Sequence, residues 1–400
     1  MLTPSYLLHA TEPAEEIAEK LHQDILNRII ERVLIRHERG DGYILTAVDK
    51  WQIETLQQAG FLINDIQKLI SEKTPYMLSE IAEAMEDAGV KALEYDDAIY
   101  KAAGLDPVDL VQSPELIAIM QRDYGATFGE WQNFTQTTVD AAYKSFIDAC
   151  DKAYHLSVSR ALSPAQAVRE ALNELIKDGV YVEYKDAYGN VIRRDTIETA
   201  TARAVRTGIS QTTAHIQLAR MDEFNVDLVI VSSHLGARPS HAEWQGKVYS
   251  RTGTNYPDFV SVTGYGSVSG LCGANCRHSF SPHFEGQKNP FEDFDSEENK
   301  KQYEMEQRQR ELERRIRDKK REVMAWDTAR QAAQGSFKDL FERDYQRKAA
   351  LLQKQNAAYN EYCSEKGLKK RSDRISIARW DRSEAAKARA AAKRYHEDKK

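Results

Sequence analysis

The sequence predicts an α+β fold: a helical N-terminal half, a small mixed α/β, loop-rich domain with a Cys/His motif, and long charged C-terminal helices. Three observations predict it. Apolar residues recur every three or four positions through roughly the first 175 residues, with no convincing strand alternation. At Gly179 the texture changes to β-branched and aromatic residues, then to Gly, Ser and Pro. Beyond Pro290, Glu, Lys, Arg and Gln take over. The breaks suggest a helical domain at 1–178, an α+β domain at 179–290 and a charged helical extension at 291–400.

The first helix is expected at 12–39. Ile17, Leu21, Ile25, Ile29 and Val33 repeat every four residues, and Leu26, Ile30 and Leu34 widen the stripe. Gly40 and Gly42 are expected to stop it. A second helix is expected over 46–73, capped by Thr46, with Val48, Leu56, Ile63, Ile66 and Ile70 on its apolar face and Pro75 after its end. Shorter helices follow near 76–89, 95–103, 114–122, 127–157 and 164–177. Ser113-Pro114 and Ser163-Pro164 each place a capping hydroxyl before a proline suited to the first helical position.

Val180–Tyr184 and Val191-Ile192 flank Gly189-Asn190, which reads as a β-hairpin. A helix near 196–221 comes next. Val226–Ser232 (VDLVIVS) is the best buried strand in the chain. Residues 233–285 suggest short strands and ordered loops, a stretch that needs a staple or serves a function. A long, mostly exposed helix is expected at 296–333, too poor in apolar residues to fold without a partner. Gly335 breaks it. Another follows at 336–363, with Phe337, Leu340, Phe341, Tyr345 and Leu351 as a sparse face, and a basic Ala-rich helix at 382–400.

Composition excludes several classes. No run of about twenty apolar residues occurs, so no membrane span is expected. The start, MLTPSYLLHATEPAEE, turns acidic at once, unlike a secretory signal. The four cysteines (Cys150, Cys272, Cys276, Cys363) do not form a disulfide framework, which suits synthesis in a reducing cytoplasm. The net charge of −6 hides an asymmetry: residues 301–400 hold 28 Lys+Arg and 17 Asp+Glu, so the rest is strongly acidic. A basic tail suits an anionic partner, nucleic acid or an acidic protein surface; a solvated helix of mixed charge gives the same count.

Two clusters in 233–286 carry the chemistry. One is Ser233–Lys247 (SHLGARPSHAEWQGK), the other Gly270–His283 (GLCGANCRHSFSPH). Together they hold two of the four cysteines and four of the ten histidines. Thiolate and imidazole are zinc ligands. Cys272, Cys276 and His278 lie close together, and His283 or His241 can complete four. The C-x3-C-x-H-x4-H spacing is not that of a zinc finger, and the same residues also suit small buried thiols and histidines bonded to loop backbone. His241 beside Glu243 also suits a metal-dependent nuclease or other hydrolase. No nucleophile elbow, P-loop, H-E-x-x-H or dinucleotide fingerprint is present.

The pattern G-A-R-P-S-H-A-x-W-Q-G-K followed by C-G-x-N-C-R-H-x-x-x-P resembles the phage minor capsid protein family, of the type beside the portal gene in phages of Gram-positive bacteria. It is similar, more distantly, to the head-morphogenesis domain typified by the F protein of phage Mu. Arg238-Pro239-Ser240-His241, Gly246 and Asn275-Cys276-Arg277 stand at that domain's matching positions, and His278 replaces its second cysteine. The resemblance covers residues 1–290 well and the tail loosely. It implies a structural, non-enzymatic head protein in few copies per particle. Its implied place is the capsid interior or portal vertex, with synthesis in the bacterial cytoplasm. Its implied partners are the portal protein, the major capsid protein, and DNA through the tail. The alternatives are a metal-dependent nuclease or other hydrolase acting on DNA during assembly or infection, and a DNA-binding accessory protein without a capsid role.

Overall fold

A computed structural model describes residues 1–37 and 48–398. Gly40, Gly42 and the proposed Thr46 cap lie outside the described residues, as does the side chain of Val48. The elements in chain order are α1 (Pro4–His9), α2 (Glu12–His37), α3 (Val48–Ala102), α4 (Pro114–Val158), α5 (Pro164–Asp178), β1 (Tyr181–Lys185), β2 (Val191–Thr196) and α6 (Ile197–Glu223). Then come β3 (Leu228–Val231), α7 (Pro239–Ala242), β4 (Val248–Ser250), α8 (Phe259–Thr263), β5 (Phe280–Pro282), α9 (Ser296–Ala332), α10 (Phe337–Glu365), α11 (Ser372–Ile375) and α12 (Arg382–Glu397). The class is α+β with a helical majority.

Two compact units emerge, each from three stretches of chain: 1–15, 76–133 and 199–307 in the first; 16–75, 134–198 and 308–400 in the second. The composition breaks at 178 and 290 mark changes of texture along the sequence, and the units group the chain differently.

Several helices are longer than their sequence signals suggest. The segments expected at 46–73, 76–89 and 95–103 form the single helix α3, with Pro75 inside it. An internal proline costs about 3 kcal/mol through its lost N–H and its ring clash. Met77, Ile81, Met85 and Ala88 on the turns beyond it are buried, and that packing offsets the cost. Likewise 114–122 and 127–157 are the one helix α4, which runs through Gly125 and Gly129. In α5 the signals hold: the Ser163 hydroxyl accepts from Gln166 N–H, the Gln166 side chain accepts from Ser163 N–H, and Pro164 begins the helix.

In the second unit, α2 buries Leu21, Ile25, Ile29 and Val33. Leu56 departs from expectation: it is exposed, while Ile66 is buried. The hairpin pairs β1 with β2 antiparallel, and a register shift falls at Tyr184/Lys185. α9 is not the mostly exposed helix its composition suggests. Leu312, Ile316, Val323, Trp326 and Ala329 are buried along it. Its charged side chains find fixed partners: Arg321 Nη2 reaches Glu198 Oε1 at 2.5 Å and Glu19 Oε1 at 3.2 Å, and Glu322 Oε2 lies 2.7 Å from Lys348 Nζ of α10. α12 packs on α10 through Ala388, Ala391 and Ala392. α5 is tied to α10 by a two-pronged Arg169–Asp344 pair.

The first unit holds the three-stranded sheet, ordered β4-β3-β5, with both neighbours antiparallel to β3. β3 is therefore central, which explains its unbroken apolar run. Its core gathers Tyr100, Met221, Val229, Val231, Trp244, Tyr249, Phe259 and Phe280. Among the described residues no helix is long and apolar enough to cross a membrane.

Candidate metal centre

Strand pairing builds the site. Val231 at the end of β3 sits opposite Phe280 at the start of β5. The loop that leaves β3 and the loop that enters β5 therefore emerge side by side. Ser232 N–H donates to Ser279 O (2.9 Å) and Ser279 N–H to Ser232 Oγ (3.0 Å), which extends the seam. The first loop leads to α7, which Pro239 opens and which carries His241. The second carries Cys276 and His278.

His241, Cys276 and His278 are buried, and their ligand atoms lie within 4.8 Å of one another. The two Nδ1 atoms are 3.4 Å apart, and Cys276 Sγ is 3.8 Å from each. Zinc bonds of about 2.0–2.1 Å to nitrogen and about 2.3 Å to sulfur give tetrahedron edges of about 3.3 Å (N to N) and about 3.6 Å (S to N). The triangle matches one face of that tetrahedron, so the group can hold a metal ion.

The outward edges of both rings are fixed. His241 Nε2 is 2.9 Å from Ser269 O, an atom that only accepts, so Nε2 carries the proton. His278 Nε2 is 3.1 Å from Gln245 Oε1, which also accepts His234 N–H at 3.0 Å. Each neutral ring therefore turns an unprotonated Nδ1 toward the sulfur, the arrangement that outer partners impose on metal-binding histidines. Burial is the main cause holding His241 down to about 4 and His278 well below the usual histidine value, with nearby Arg238 reinforcing both. Burial also pushes the Cys276 thiol up, while backbone N–H groups of His278, Cys272 and Arg277 draw it back. The histidines are thus in ligand form already, and the thiol needs a cation to ionise.

The other predicted residues have distinct places. Cys272 is buried in the apolar core, with its backbone in the left-handed region (φ 58°). His283 lies beyond the far end of β5, its N–H on Leu228 O at 2.9 Å. Neither joins the group. Arg238 donates from Nη2 to Ala274 O at 3.0 Å and so clamps the Cys276 loop to the start of α7. Asn275 (φ 59°) supplies a left-handed turn before Cys276, a conformation that asparagine tolerates. Gly246 (φ 69°) turns the chain toward β4, and Arg277 pairs with Glu306 at 3.5 Å.

The spacing of thiols and imidazoles does not reveal Gln245, Ser269 or His234. Gln245 stands within the W-Q-G-K run. Ser269 acts only through its carbonyl and leaves no side-chain signal. Its loop is shaped by close backbone packing: a Cβ on Gly270 would stand 1.9 Å from Gly264 O.

Comparison with known proteins shows the family. A family model described as phage minor capsid protein 2 matches residues 2–362. The chain belongs to the phage minor capsid protein family. The match runs from α1 through most of α10, and so takes in both the His241–Cys276–His278 group and much of the charged C-terminal part. The minor capsid chain is also 22% identical over 252 residues to a protein of Lactococcus phage LL-H named a structural protein; the alignment covers 59% of this chain and 66% of that one. No solved structure matches. A capsid protein of this family is a component of the phage particle.

Proposed function

We propose that this minor capsid protein sits in few copies at the portal vertex of the phage head, with a structural zinc ion stapling its loop-rich sheet unit. The observation that carries the zinc reading is the His241–Cys276–His278 triangle, with both unprotonated Nδ1 atoms facing one sulfur. Zinc there would neutralise the thiolate and join the loop after β3 to the loop before β5. Burial of all three side chains favours a structural ion over a nuclease centre, which needs an open coordination position reachable by substrate.

The portal and major capsid protein are the partners implied by the family. DNA is a further one, through the basic C-terminal end. Much of that positive charge is spent internally, on Glu198, Glu322 and Asp344 for example. The exposed arginines Arg382 and Arg389 on α12 are the better DNA candidates.

Quantitative mass spectrometry of purified particles, empty and DNA-filled, tests the placement. A fixed small copy number in both kinds of head is expected. Absence from particles would overturn the structural reading and bring the hydrolase forward. For DNA, the full-length protein should bind duplex with affinity that falls steeply with salt; no binding, or salt-insensitive binding, removes that role.

A further inference from the structure

We propose that His234 is the fourth ligand of the metal centre, closing it as a three-histidine, one-cysteine site. The inference rests on the zinc reading above and adds a residue that the triangle does not contain. His234 lies in the loop that leaves β3, on the wall of the site. Its ring stacks on that of His278, with centroids 4.5 Å apart and planes 24° apart. Its Nδ1 is 3.1 Å from Leu235 O, which places the proton on Nδ1. That leaves Nε2 as a bare acceptor, and Nε2 is buried with no hydrogen-bond partner. A buried imidazole nitrogen without a partner costs free energy unless something occupies it.

The surroundings point the same way. The triangle supplies three corners of a tetrahedron, and a structural zinc site closes all four with protein groups. Other nearby candidates are committed elsewhere. Gln245 Oε1 already serves His278 and the backbone of His234. Glu306 is held by Arg277 and Gln302. Cys272 is packed among apolar core residues, and His283 lies at the far end of β5. Nε2 of His234 stands outside the 4.8 Å group, so ligation requires its ring to leave the stack on His278. The loop itself is anchored for such a turn: Gly236 N–H and Ala237 N–H both donate to Asn299 Oδ1, and Gln245 holds the His234 N–H.

The test uses the full-length protein, stripped of metal by a chelator and titrated with Co2+. Wild type is expected to show thiolate charge transfer and visible bands that do not change with pH near neutrality, because no water is bound. In His234→Ala, water takes the open position and ionises near pH ~7, so the spectrum becomes pH-dependent. Affinity should fall by about 100-fold, since even outer partners are worth about 10–100-fold. Added imidazole should restore the wild-type spectrum. Equal melting temperatures of the two metal-free proteins would show that the variant folds, and His234→Gln serves if alanine does not. Wild-type affinity and a pH-independent spectrum in the variant would overturn the assignment. So would a Cys272→Ala variant that opened the site in its place. If wild type takes up no Co2+, the zinc reading itself fails.

Discussion

His241 Nδ1 and His278 Nδ1 face each other across 3.4 Å, and the proton of each ring is held at its other nitrogen, by Ser269 O and Gln245 Oε1. Two lone pairs at that distance repel unless a positive charge lies between them. The Cys276 sulfur, 3.8 Å from both, adds a third donor to the same point. The neutral thiol can give its proton to one of the two nitrogens only, whereas a cation would serve all three.

Metal binding should consequently stabilise the protein. With free zinc at about 100 times the dissociation constant, the bound form gains about 2.7 kcal/mol. Thermal melting with zinc and with chelator is expected to differ accordingly in wild type. In His241→Ala and in Cys276→Ser the two curves should coincide. A wild-type melting temperature indifferent to both additions would count against the site.

Much of the fold is legible in the sequence, because helix faces and strand runs are local signals. The stripe of α2, the Ser163 cap before Pro164 and the buried strand at β3 all follow from local pattern. The joining of helices does not. Pro75 reads as following a helix end and a second helix is expected to finish near 89, yet Gly89 lies inside α3 where Ile216, Leu110 and Met120 approach to within 4 Å of an added Cβ, a packing reason that only the fold reveals. The burial of α9 was hidden by its charges, whose partners Glu19 and Glu198 lie some three hundred and one hundred residues away in sequence. At the site, spacing offered five ligands. The β3–β5 seam gathers three, and the left-handed turn at Cys272 lies outside what composition can show.

Gly270→Ala should damage the centre without touching a ligand. The added Cβ would meet Gly264 O, which is backbone and cannot swing aside. The loop that carries Ser269 and Cys276 must then shift, and strain of this kind costs about 1–3 kcal/mol. Weaker Co2+ uptake together with a lower melting temperature is expected. Gly266→Ala, with open space around its Cβ position but φ at 86°, should cost backbone strain alone and leave metal affinity near wild type. Equal metal affinities in the two variants would contradict the account.

Arg321 joins three acids in the second unit. Its Nη2 lies 2.5 Å from Glu198 and 3.2 Å from Glu19, and Nη1 lies 3.1 Å from Asp318. Glu198 also meets His22 at 2.8 Å and is almost fully buried. Removing one member of a buried pair leaves an uncompensated charge, at about 3–5 kcal/mol. Arg321→Ala should destabilise by that order in urea titrations. Arg321→Ala with Glu198→Gln should recover part of the loss, because the stranded carboxylate is gone. Strict additivity of the two changes would show that the pair is not coupled.

His37 gives a pH prediction with a defined sign. It is fully buried at the end of α2, and neither ring nitrogen has a partner among the described residues. Burial, with neighbouring Arg36, lowers it from 6.5 to about 3. The folded state therefore keeps it neutral while the unfolded chain ionises near 6.5. Between those values the unfolded chain binds the extra proton, so stability rises with pH across that window. The neutral-His contribution is complete above 6.5 and is lost on acidification, at up to about 1.4 kcal/mol per pH unit, until about pH 3. His37→Leu keeps the site apolar and removes this proton. Its stability should fall less steeply with acid by close to one proton's worth, measured by urea titrations at a series of pH values. Parallel pH profiles for wild type and variant would mean that His37 does not stay neutral in the folded protein.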